Sequence, residues 1–175
     1  MGINKESVFD TLVGRPLLSL VGIKTAETLK ERELHAVKLI ADAKHSVQIL
    51  TQRPERYCSP AVYRALSETI RRQVPVEVIS SNEEDNKGAL DLLASLGVKV
   101  YKAREWPQRA SDFIVVDEEN VQVEERHPTG QEPETVYTIY GFKNASELTR
   151  FFGTVKEKAI ELISYWPASL KKVYH

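Results

Sequence analysis

A chain of 175 residues, 42% hydrophobic and 28% charged, is long enough for one domain that buries about 70% of its unfolded surface. Its 24 Lys and Arg nearly balance 25 Asp and Glu, and the formal net charge of −1 argues against a dedicated nucleic-acid binder, which carries a basic excess. One cysteine, Cys58, excludes an internal disulfide, and no apolar run reaches the ~18 residues that a membrane span requires.

Met1-Gly2-Ile3-Asn4-Lys5-Glu6-Ser7 lacks an apolar secretory core and departs from the myristoylation pattern at Glu6, so the expected location is cytoplasmic. Residues 1–22 read as an N-terminal helical and apolar extension. Val8, Leu12 and Val13 suit a short amphipathic helix that Gly14-Arg15-Pro16 would stop. Leu17, Leu18, Leu20 and Val21 follow as an apolar patch, to be covered by the domain or by a second copy.

Residues 23–175 read as an α/β domain. Thr25 is expected to cap a helix that runs to about Lys44, with Ala26, Leu29, Ala36, Val37, Ile40 and Ala43 at helical spacing. His35 and His45 are read as solvated or capping residues. Ser46 to Thr51 is a strand that ends in the polar loop Gln52-Arg53-Pro54-Glu55-Arg56-Tyr57. Ser59-Pro60 then starts a helix carrying Val62, Leu66 and Ile70, which fades at Arg71-Arg72-Gln73. Val76 to Ser80 is a second strand. Ala89, Leu90, Leu92, Leu93 and Leu96 form a helix closed by Gly97, and Val98 to Tyr101 is a third strand. This β-α-β-α-β run implies a mostly parallel sheet with right-handed crossovers.

A hairpin follows without an intervening helix. Phe113 to Val116 is a short β-branched, apolar run, Asp117 to Asn120 is turn chemistry, and Val121-Gln122-Val123-Glu124 alternates with period two. Val136 to Tyr140 is a further strand, stopped by Gly141. Asn144 and Glu147 have capping-box spacing before a final helix with Leu148, Phe151, Phe152, Val155, Ala159, Leu162 and Ile163 on one stripe, ended by Pro167 near Trp166.

An apolar strand ending in Asp, a tight turn and a second strand resemble the core of the phospholipase D superfamily, whose pattern is HxKxxxxD, then six residues, then GSxN. With the pattern's Asp on Asp117, its His falls on Ala110 and its Lys on Asp112. Its Gly and Ser fall on Glu124 and Glu125, and its Asn on His127. Only the Asp is kept. The order β-α-β-α-β-β-β-β-α matches a single repeat of that fold from about residue 25 to 165, so residues 23–175 are expected to be a phospholipase D-like α/β domain. In active members two such motifs meet across a two-fold axis, one His attacks phosphorus, and the Lys and Asn residues hold phosphate oxygens. The resemblance therefore implies a homodimer.

Ala110 has no lone pair with which to attack phosphorus. Two unit charges at 4 Å interact by about 4 kcal/mol at an effective dielectric near 20, so Asp112 in place of Lys turns attraction into repulsion at a cost of about 8 kcal/mol. The expected result is a pseudo-enzyme with no catalytic residue. Asp112, Asp117, Glu124, Glu125 and His127 are metal-ligand types, but strand alternation sends Glu124 and Glu125 to opposite faces. No metal and no cofactor are expected, and the hairpin is expected to be a solvated charged surface with Asp117 serving the turn.

The ligand-binding candidates lie instead at the carboxyl edge of the parallel strands, where open α/β sheets bind. Thr51, Gln52, Arg53 and Arg56 follow the first strand; Ser80, Ser81 and Asn82 the second; and Lys102, Arg104 and Trp106 the third. The favoured function is a non-catalytic binding or regulatory domain for a small polar or anionic ligand, similar in arrangement to effector domains of archaeal sugar-sensing transcription regulators, or one working through a protein partner. The alternatives are a phosphodiesterase or nuclease with a rearranged site centred on another His such as His127, and an assembly protein that docks through Leu17 to Val21. Nucleic acid, held by Arg53, Arg56, Arg64, Arg71 and Arg72, is a less favoured partner.

Overall fold

The computed structural model describes residues 23–26, 28–81, 83–107, 110–125 and 135–162. The expected helix and apolar patch within residues 1–22 lie outside them. The strands are β1 (Ile23–Ala26), β2 (Val47–Thr51), β3 (Val76–Ser81), β4 (Lys99–Ala103), β5 (Phe113–Val116), β6 (Asn120–Glu125), β7 (Thr135–Ile139) and β8 (Ala159–Glu161). The α-helices are α1 (Leu29–Ala41), α2 (Pro60–Arg71), α3 (Lys87–Leu96) and α4 (Ala145–Glu157), and a 3-10 turn spans Pro54–Cys58. The strands form one mixed sheet in the order β1-β7-β6-β5-β2-β3-β4-β8.

The α/β class and the β-α-β-α-β-β-β-β-α order from β2 onward are as the sequence predicts. The parallel share is smaller than expected. Among the described residues two pairings are parallel, β2 with β3 and β3 with β4, and five are antiparallel. Crossover helices impose parallel pairing only where they occur, and the chain from β4 to β7 contains none.

Alternation along the strands builds two cores. Val47 and Ile49, Val78, Val100, and Ile114 and Val116 face α1, α2 and α3. Leu50, Ile79, Tyr101, and Phe113 and Val115 face α4, whose Leu148, Phe152 and Val155 cover them. Cover on both faces of the central strands explains why β2, β3 and β5 carry almost continuous apolar runs.

Three local expectations are corrected. Thr25 does not cap α1; it lies in β1, paired with Tyr137 of β7, and Thr28 is the N-cap. The Thr28 Oγ1 accepts from Glu31 N at 3.2 Å and Glu31 Oε2 accepts from Thr28 N at 3.3 Å, a capping box that satisfies two N–H donors at once. Asn144 makes no side-chain cap; its carbonyl oxygen accepts from Glu147 N at 3.0 Å instead. The last helix stops at Glu157, and Ala159 to Glu161 form β8 against β4, with Leu162 N donating to Val100 O at 2.7 Å. The exposed hydrogen-bonding edge of β4 captures these residues, which an apolar stripe by itself assigned to a helix. Ser59 caps α2 as expected, and Gly97 ends α3 at φ 104°.

Candidate functional site

The hairpin has two ends with different work. At the turn, Asp117 and Glu118 both have φ 56°, left-handed backbone that Asp tolerates better than most residues. The Asp117 carboxylate accepts from the backbone N–H groups of Lys44 (2.9 Å), His45 (2.7 Å) and Ser46 (2.9 Å). Burial pushes this carboxyl upward, but the donors from Ser46, His45 and Lys44 outweigh it and hold the group below its ordinary range. Asp117 therefore anchors the turn to the link between α1 and β2. It stands at the opposite end of β5 from Asp112.

At the other end, the carboxyl rim carries a buried charged cluster. Asp112 is fully buried, and its Oδ2 accepts from Thr51 Oγ1 at 2.8 Å and from Gln52 N at 3.2 Å. Thr51 Oγ1 in turn accepts from Arg53 N at 2.9 Å. Glu124, 2% exposed, is gripped by three guanidiniums: Arg32 contacts Oε1, Arg53 Nη2 donates to Oε2 at 3.0 Å, and Arg56 Nη1 donates to Oε2 at 2.7 Å. The Tyr57 phenol is packed close by. Its burial, then the charges of Glu124 and Asp112, push its pKa well above the ordinary value. Burial also pushes Glu124 up to about 7; Arg56 pulls against it and the Asp112 charge adds to it.

These positions overturn the solvated-hairpin expectation. The hairpin strand β6 alternates Val121 and Val123 toward α4 with Gln122 and Glu124 toward the helical layer above, so both polar side chains are enclosed. The expected repulsion of phosphate considered carboxylates alone. Among the described residues the cluster sets Arg32, Arg53 and Arg56 against Asp112 and Glu124, an excess of positive charge. A side chain's partners depend on which loops meet over it, and linear spacing does not reveal that.

The other sequence candidates divide between this cluster and its surroundings. Thr51, Gln52, Arg53 and Arg56 belong to the cluster. Ser80 is fully buried, and its Oγ has no hydrogen-bond partner among the described residues. Ser81 Oγ accepts from Asn86 Nδ2 at 3.0 Å, and the same Nδ2 donates to Gln52 O at 3.2 Å, tying the loops after β2 and β3 together. Ala110 is half-buried against the α4-facing core. Arg104 is exposed and lies elsewhere, with Trp106, Phe151 and Lys158, around a cleft of about 840 Å³. Asn82, His127 and the Glu125 side chain lie outside the described residues. Among the described residues no group of three or more His, Cys, Asp or Glu is placed to hold a metal ion.

Sequence reading missed Arg32, Tyr57, Asn86 and Gln122. Arg32 left a signal: it sits on the same helical face as Ala36 and Leu39, where a stripe of buried apolar residues is interrupted by a charge. Arg32, Arg56, Tyr57 and Gln122 also line a cleft of about 240 Å³ between α1 and the start of α2, with Glu33 on its wall.

No family model and no curated protein sequence matches the chain. Solved structures do. Nuc from Salmonella typhimurium, a phospholipase D family member, is 17% identical and superimposes with a TM-score of 0.64, over 82% of this chain and 98% of that one. NucT from Helicobacter pylori is 13% identical with a TM-score of 0.57, over 80% and 99%. TrmBL2, an archaeal chromatin protein with a novel mode of DNA binding, is 12% identical with a TM-score of 0.64, over 88% of this chain and 60% of that one. The fold is phospholipase D-like, and among the described residues no helix is long and apolar enough to cross a membrane.

Proposed function

We propose that this chain is a non-catalytic phospholipase D-like module that recognises a small polar or anionic ligand at the carboxyl edge of its sheet and acts through binding or regulation. One observation carries the reading. The residue standing at the family's Lys position, Asp112, is fully buried and satisfied by Thr51 and Gln52, while Ala110 at the His position offers no nucleophile. A phosphoryl group brought there would meet neither an attacking atom nor the cation that the family's pattern supplies. The cleft beside Arg32 and Arg56 is the opening through which a ligand reaches the cluster. The fold's use by a DNA-binding chromatin protein supports a role in binding, and a homodimer with the two rims facing is part of the same proposal.

The competing reading is a nuclease or phosphodiesterase with a rearranged site, favoured by the fold shared with Nuc. Incubating the purified protein with a chromogenic phosphodiester and with DNA separates the two. The expected result is no turnover above the protein-free blank. Hydrolysis that disappears in a His127→Ala variant would overturn the binding reading.

A further inference from the structure

Resting on that reading of the rim, we propose that Glu124 is an internal competitor for the ligand, occupying a cage of Arg32, Arg53 and Arg56 that takes a compact oxyanion of the phosphate or carboxylate class in its place. Each guanidinium is a planar fork matched to two oxygens of such a group. Arg32 and Arg56 belong both to the cage around Glu124 and to the wall of the 240 Å³ cleft, so an anion in the cleft meets the same cations from another direction.

Charge decides the exchange. With Glu124 ionised, two carboxylates already stand against the three guanidiniums. A dianion added to these would leave negative charge in excess. If the Glu124 carboxylate takes one proton from solvent, one negative charge leaves the cage as the dianion arrives. The O–H bond on Glu124 is the only covalent bond formed, and none breaks in the protein. The groups facing Glu124 favour this proton. Asp112, leading into β5, is a second negative charge, and Tyr57 offers a neutral phenol. Arg53 and Arg56 after β2, and Arg32 on α1, oppose it until the incoming anion draws on them. On the sheet itself, the residue paired with Glu124 on β7 is the uncharged Val136. The wall residue Glu33 disfavours a ligand carrying several separated negative charges.

Inorganic sulfate is the probe, because it keeps its double charge across the pH range of the test. Isothermal titration of the wild type should show affinity falling about tenfold per pH unit above about pH 7, with close to one proton taken up per sulfate near about pH 8 in a pair of buffers of different ionisation heat. Glu124→Gln should bind sulfate at least about tenfold tighter than wild type near that pH, without the slope. Sulfate binding by the wild type without proton uptake would refute the exchange, and so would no sulfate binding by wild type at any pH. The wild-type proton count decides the matter even if Glu124→Gln fails to fold. Phosphodiester turnover would remove the underlying reading and leave the sulfate results standing. Saturable binding of a neutral polar ligand with indifference to sulfate would do the reverse.

Discussion

Replacing Asp117 with alanine tests the anchor of the hairpin. The carboxylate accepts three backbone N–H bonds of 2.7 to 2.9 Å, two at exposed donors and one at the half-buried Ser46. A hydrogen bond to a charged group is worth about 1.5–3 kcal/mol when water is excluded, and much less where water replaces the lost partner. Crediting the two exposed donors with little and Ser46 with the larger share gives about 2 kcal/mol. Alanine at φ 56° adds about 1 kcal/mol of backbone strain. The expected loss for Asp117→Ala is about 3 kcal/mol. Glycine relieves the strain alone, so Asp117→Gly should lose about 2 kcal/mol. Asp117→Asn keeps an acceptor oxygen and the left-handed backbone and should lose the least, about 1 kcal/mol. Urea unfolding reads these differences; with a slope near 2 kcal/mol per molar, the alanine variant's midpoint falls by about 1.5 M. Three variants all within about 0.5 kcal/mol of wild type would refute the anchoring role. A pH series adds a second check. The Asp117 carboxyl is held below its unfolded value, so its contribution is full above that value and is lost as pH falls through the folded one. Asp117→Asn should remove this acid limb.

Glu124 should produce a limb of opposite sign. Its carboxyl is raised from 4.5 to about 7, so its contribution is full below 4.5 and is lost as pH rises through about 7. The loss is about 3 kcal/mol, and urea midpoints measured across that window should flatten in Glu124→Gln. Asp112→Lys should destabilise by about 3–5 kcal/mol, because a buried ammonium would meet Thr51 and Gln52 as donors within an arginine-rich cluster. Thermal melting checks it, and an Asp112→Lys protein as stable as wild type would contradict this expectation.

Elements that bury an apolar face were legible in the chain. Val47 to Leu50, Val76 to Ile79 and Phe113 to Val116 announce covered strands, and Ser59-Pro60 and Gly97 mark helix ends through purely local backbone chemistry. Asp117 was assigned to the turn from its local chemistry, and there it anchors the hairpin. Local preference was a poor guide where a sheet edge competed for the backbone. Ala159 to Glu161 continue an amphipathic stripe, yet the open edge of β4 holds them as β8.

The amino-acid order by itself determined the α/β class and the order of elements from β2 to α4, because periodicity and residue identity are properties of neighbours in the chain. Only the tertiary structure decided that Glu124 lies in a cage of Arg32, Arg53 and Arg56. Glu124 is separated from Arg53 and Arg56 by 71 and 68 positions in sequence. Electrostatic energy depends on distance in space and on exclusion from water, and both arise only when α1, the loop after β2 and the hairpin close over one another.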